Sequence, residues 1–170
     1  MAEVLTSADT FPPVISNAVR DAALNFFKSS CGLKYVENPP DSAETWCSAI
    51  MSTISFVGDP PWTFALVLPD DAAVMVAHTF AGFDIPFDSP DMGDVLGEVV
   101  NVLSGEIVAR LDAKGIKLQM SLPTVIRGHN VCLHVPSSVS TTQLMFSGPK
   151  GTCWFKLVKA RGHRLQEPGP

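Results

Sequence analysis

Charge is scarce in this chain, and the little there is leans acidic. Only 17% of its 170 residues are Asp, Glu, Lys or Arg, and the formal net charge is −5. An acidic chain without a Lys/Arg cluster is a poor match for nucleic acid or an anionic membrane surface. The short basic stretch Lys156, Lys159, Arg161 and Arg164 reads as a solvated strand end and tail, with a small anion patch as the alternative. Long apolar runs are also missing. The longest, Ala72 to Phe83, is broken by His78 and Thr79 and falls short of the ~20 residues a membrane span needs. Met1 to Asp9 hold no Lys or Arg and no apolar stretch, so a signal peptide is not expected. The four cysteines, Cys31, Cys47, Cys132 and Cys153, form no CxxC pair. Reduced thiols in a cytoplasmic protein are the natural expectation. HExxH, Walker A and GxSxG patterns are absent too.

What is present is a folding composition, 46% apolar. The length suits one domain, residues 1–170, with a core over about 10–160 and a loose tail over 161–170. Pro12 and Pro13, then Ile15, Val19, Ala22 and Phe26 at helical spacing, predict a helix over 12–31 that Gly32 stops. An extended piece at 33–36 and a turn at Asn38-Pro39-Pro40-Asp41 follow. Strands are expected at 46–57 and 62–68, the second apolar enough to be buried on both faces. Asp70 and Asp71 open a helix running to about Ala81. Ser89 and Pro90 open a long helix to about 114, stopped by Gly115. Strand-like segments 116–120, 131–135, 142–147 and 152–158 close the chain, the last two joined by the turn Gly148-Pro149-Lys150-Gly151.

A faint echo runs through this order. Gly32-Leu33-Lys34 leads to Pro40, and Gly115-Ile116-Lys117 leads to Pro123, at an offset of 83 residues. Two tandem halves, each a helix followed by strands, would produce it; so would coincidence over so few residues.

The long helix has two faces. Met92, Leu96, Val99, Val100, Leu103, Ile107 and Leu111 make an apolar stripe that core packing explains. The opposite side carries Asp91, Asp94, Glu98, Asn101, Gly105 and Asp112. A solvated face is the plain account of that second stripe. Two details argue for more. The stripe offers almost no cations for i,i+4 pairs, and Asp94 and Glu98 repel mildly at that spacing. Gly93, Gly97 and Gly105 each cost about 1 kcal/mol against Ala in a helix interior, which is tolerable where another surface must come close.

Asp94-x3-Glu98-x2-Asn101, with Pro123 22 residues further on, resembles the signature of the CheC/CheX/FliY chemotaxis phosphatases. Gly105, Lys114-Gly115 and Ser121-Leu122-Pro123-Thr124-Val125-Ile126-x-Gly128 are similar to CheX in particular. The resemblance implies a CheC-like α+β fold, a largely antiparallel sheet with packed helices in two pseudo-repeated halves. It implies a phosphatase acting on the aspartyl phosphate of a CheY-like receiver domain. Glu98 would contact a receiver lysine and Asn101 would orient a water, with Asp94, Gly105 and Pro123 as supporting motif residues. No cofactor of its own is implied; Mg2+ would sit on the partner receiver. A homodimer is possible, since CheX relatives form dimers. Two-site relatives carry a Glu–Asn pair in each half. Here the 83-residue offset sets Phe11, Ile15 and Ala18 against Asp94, Glu98 and Asn101, so one site per chain is expected; Asn17 is a near miss with no Glu three residues before it.

The residue types suit the chemistry. Phosphoryl transfer to water needs positioning and charge neutralisation more than covalent help. An amide both donates and accepts, so it holds and aims a water without adding negative charge. The i,i+3 spacing puts Glu98 and Asn101 one turn apart on one face. A module that docks a receiver without hydrolysis is the rival reading, and an adaptor in a motility or secretion apparatus a weaker one. Elsewhere, His129, Cys132 and His134 raise zinc as a possibility, against a polar loop beside a strand; Cys132 and His134 would share a strand face. Asp70-Asp71 and Asp84-x3-Asp88 read as caps and turns, and Trp46, Trp62, Trp154 and Met120 as core.

Overall fold

The computed structural model describes residues 11–39, 45–137, 139–149 and 151–159. The expected tail, Pro40 and Asp41 of the expected turn, and Arg161 and Arg164 of the basic stretch lie outside them. Ten elements follow in order: α1 (Pro13–Ser30), β1 (Lys34–Val36), β2 (Thr45–Val57), β3 (Trp62–Pro69), α2 (Asp70–Ala81), α3 (Pro90–Asp112), β4 (Gln119–Met120), β5 (Thr124–Cys132), β6 (Thr141–Gly148) and β7 (Gly151–Lys159). The fold is α+β, with one antiparallel sheet and three helices among the described residues.

The sheet order is β1-β6-β7-β3-β2-β4, with β5 also paired to β2 on the β4 side. This order maps onto itself when the halves are exchanged. Hairpins β2–β3 and β6–β7 meet at the central β3–β7 pair; β1 crosses to the second hairpin, and β4–β5 cross to the first. The faint repeat therefore has a physical basis in two interleaved halves. Gly32 and Gly115, the first residues of the echo, both take positive φ, +67° and +80°, just after their helices end, a geometry that favours glycine.

Side-chain alternation sorts the strands into two faces. Ile50, Ile54 and Phe56, with Phe64, Leu66, Leu68, Leu144, Phe146, Phe155 and Leu157, join the apolar stripes of all three helices in one core. Ring contacts knit it, including Phe56 stacked on Trp62 at 4.1 Å and Phe27 against Phe146 and Phe155. Ala49, Met51, Ala65, Val67 and Val131 form a smaller cluster with Trp46, Leu133 and Trp154. The expected double burial of β3 holds, because its alternate residues enter both clusters.

Some expectations change. The structure makes 124–132 a strand and leaves 133–135 outside it, where a strand over 131–135 was expected. β5 is a sheet edge with mostly exposed side chains, so it lacks the alternation that marks a half-buried strand. The segment 116–120 pairs only at Gln119 and Met120. Met120 is exposed instead of core. The cysteines are free, and burial pushes the Cys153 and Cys31 thiols up, which keeps them protonated. No helix among the described residues is long and apolar enough to cross a membrane.

Candidate functional site

The start of α3 is set by its local sequence. Ser89 Oγ accepts from the Asp91 N–H at 3.2 Å and Pro90 occupies the first turn. Arg127 on β5 reaches across and donates to the Ser89 and Phe87 carbonyls at 2.5 and 2.8 Å, tying the helix start to the sheet edge. Met92, Leu96, Val99, Val100, Leu103, Ile107 and Leu111 are all buried, as the apolar stripe predicts. Gly97 brings α3 close to β5: a Cβ built there would lie 3.6 Å from Val125 Cγ2.

With that face fixed, the opposite one points outward. Asp94 and Glu98 are exposed, and Asn101, turned toward the β5 flank, is half-buried. Neither side chain of the Glu98–Asn101 pair makes a hydrogen bond or ion pair with the described residues. Charges near the far end of the helix are paired instead: Arg110 with Glu106 at 2.6 Å, and Lys117 with Asp112. Asp112 thus leaves the unpaired stripe that the sequence assigned it to. Gly105 has open space where its Cβ would be, and Gly93 likewise. A side chain at 105 would lean back one turn over Asn101, so its absence leaves the amide approachable.

Pro123 lies two residues before Val125, the residue of β5 that packs on Gly97 of α3. Beyond Asn101 the helix carries the chain about 16 Å away, and the extended run from Leu118 to Pro123 brings it back about as far. The pairing there is irregular. Phe56 pairs with Met120, and the Ser121 N–H donates to the Ser55 carbonyl at 2.8 Å, but Thr53 pairs with Thr124. Ile54 therefore faces two residues, Leu122 and Pro123, which is a β-bulge. Proline has no N–H to lose there. Leu122 is 84% exposed. Sequence reasoning attached no role to this leucine, and only the strand register exposes the bulge.

The remaining candidates separate. His129 pairs with Ser48 and Cys132 with Thr45, but β5 ends at Cys132, so His134 shares no strand face with it. Asn130, at φ +53°, breaks the alternation between them. No group of three His, Cys, Asp or Glu side chains among the described residues is arranged to hold a metal ion. Asp84 Oδ1 and His78 Nδ1 are hydrogen-bonded at 2.9 Å, beside an open groove between α2 and the β6–β7 turn. Lys156 and Lys159 lie on β7.

Comparison with known proteins fits this arrangement. A family model described as chemotaxis phosphatase CheX matches residues 50–147, which include the outward stripe of α3 and the bulge. A CheC-like superfamily protein from Shewanella sp. PV-4 superposes with a TM-score of 0.77 at 20% identity, covering 89% of this chain and 100% of that one. The chemotaxis protein CheX from Vibrio vulnificus gives 0.75 at 17% identity, covering 86% and 99%. The CheX of a CheX–CheY–BeF3–Mg2+ complex from Borrelia burgdorferi gives 0.68 at 16% identity, covering 86% and 98%. No curated protein sequence matches the chain.

Proposed function

The chain belongs to the CheX family of chemotaxis phosphatases, and from that premise we propose that it hydrolyses the aspartyl phosphate of a CheY-like receiver domain through Glu98 and Asn101. The observation that carries the proposal is an acid and an amide one turn apart on an outward helix face, neither hydrogen-bonded nor ion-paired among the described residues. Polar groups left without internal partners on a well-anchored helix are positioned for another molecule.

In this mechanism α3 docks against the receiver's phosphorylation site. Glu98 pairs with a receiver cation and fixes the complex. Asn101 enters the pocket, where its carbonyl oxygen accepts from a water and its NH2 donates to a phosphoryl oxygen. The water oxygen attacks phosphorus in line. The bond from phosphorus to the aspartyl oxygen breaks, and the products are the free receiver aspartate and inorganic phosphate. Mg2+ belongs to the receiver and neutralises phosphoryl charge there. This chain's part is orientation, which is why one amide is enough.

The experiment is a dephosphorylation time course. Receiver domains encoded in the same genome are phosphorylated with acetyl phosphate, and the phosphoaspartate is followed with and without this protein. Accelerated decay of at least one receiver is expected. A docking module would bind the beryllofluoride-loaded receiver and leave the decay unchanged, and that outcome would refute the enzymatic assignment.

A further inference from the structure

The bulge at Leu122–Pro123 does something the acid and the amide do not. β5 runs antiparallel to α3: Arg127 meets the helix start at Ser89, and Val125 meets Gly97 two turns on. Following the strand back toward its start therefore advances along the helix, and Leu122 and Pro123 come level with the turn from Asn101 to Gly105. Asn101 faces that flank, since it lies on the same side of the helix as Gly97. The bulge interrupts the alternation at this point and turns Leu122 out into water, 84% exposed. An isolated exposed leucine is ordinary. A leucine re-aimed by a bulge beside an unengaged acid and amide is part of their surface.

We infer that Leu122 is a docking residue for the phosphorylated receiver, an apolar contact that closes over the Asn101 side of the interface. The inference rests on the function proposed above and assigns that site's recognition. The charge of the chain supports it. A protein of net charge −5 meeting an anionic phosphorylated pocket gains little long-range attraction, so the contact must be held at short range. Desolvating one leucine side chain supplies that kind of contact. Leu122 touches no reacting atom, so its effect falls on binding and not on the chemical step.

The test is steady-state kinetics on the full chain with the receiver whose decay is most accelerated, phosphorylated with acetyl phosphate. Leu122→Asp should raise KM about tenfold while kcat stays within about twofold, and Leu122→Met should restore the wild-type KM. Asn101→Ala, run alongside, should lower kcat. A wild-type KM for Leu122→Asp, or a lower kcat at unchanged KM, would overturn the docking role and leave the phosphatase reading standing if Asn101→Ala is impaired. An Asn101→Ala variant of full activity would instead sink that reading, and this inference with it. Leu122→Asp should keep the wild-type denaturation midpoint; a large fall would contradict the exposed placement.

Discussion

The helices that open the two halves, α1 and α3, are built alike and finished differently. Each follows proline at its start, buries an apolar stripe in the same core and ends before a glycine of positive φ. On α1, Arg20 pairs with Asp21 at 3.1 Å, and Asn25 donates to Glu106 of α3 at 3.1 Å. The positions that the repeat aligns with Asp94, Glu98 and Asn101 are Phe11, Ile15 and Ala18, all buried. One helix spends its residues on holding the molecule together. The other carries an acid and an amide that have no partner among the described residues. The pseudo-symmetry belongs to the backbone, and the proposed docking of a receiver rests on the difference between the helices.

The comparison is broken most severely by moving the acid. Ile15→Glu puts a carboxylate into a fully buried position without a partner, and should cost about 4 kcal/mol or more in denaturant unfolding. A variant of near wild-type stability would show that the aligned α1 position is not core. Reversing the charge where it is free has a smaller consequence. Glu98→Lys should weaken binding of a beryllofluoride-loaded receiver about tenfold, measured by calorimetry, and leave folding unchanged. An unchanged Kd would remove Glu98 from the interface. The smallest effect sharpens the contrast from the stability side. Gly105→Ala fills open space in a helix interior and should stabilise the protein by up to about 1 kcal/mol, whereas Gly105→Leu, leaning over Asn101, should slow dephosphorylation. Equal activity of the two variants would mean that the space over the amide is not used.

Much of the fold was legible because its signals are local. The capping serine and proline at 89–90 and the period of α3 set that helix, and the acids at 70–71 set the start of α2. The geometry of the candidate site was legible for the same reason, since Glu98 and Asn101 share one helix face by spacing alone; their role is what the proposal adds. β5 was not legible. It is an edge strand with exposed side chains, interrupted by Gly128 and preceded by Pro123, and its identity comes from pairing with β2 over a sequence separation no periodicity reports. Leu122 was hidden for a related reason: a bulge is a mismatch between two registers, so neither strand reveals it by itself. Met120 was misjudged because an apolar residue on a two-residue edge strand has nothing to cover it.

Asn101→Ala offers the most direct measurement. Binding of the beryllofluoride-loaded receiver and decay of the phosphorylated receiver are measured on the same preparation. A water-orienting amide predicts an unchanged Kd and a loss of about a hundredfold in accelerated decay. Full acceleration by the variant would contradict the account at its centre.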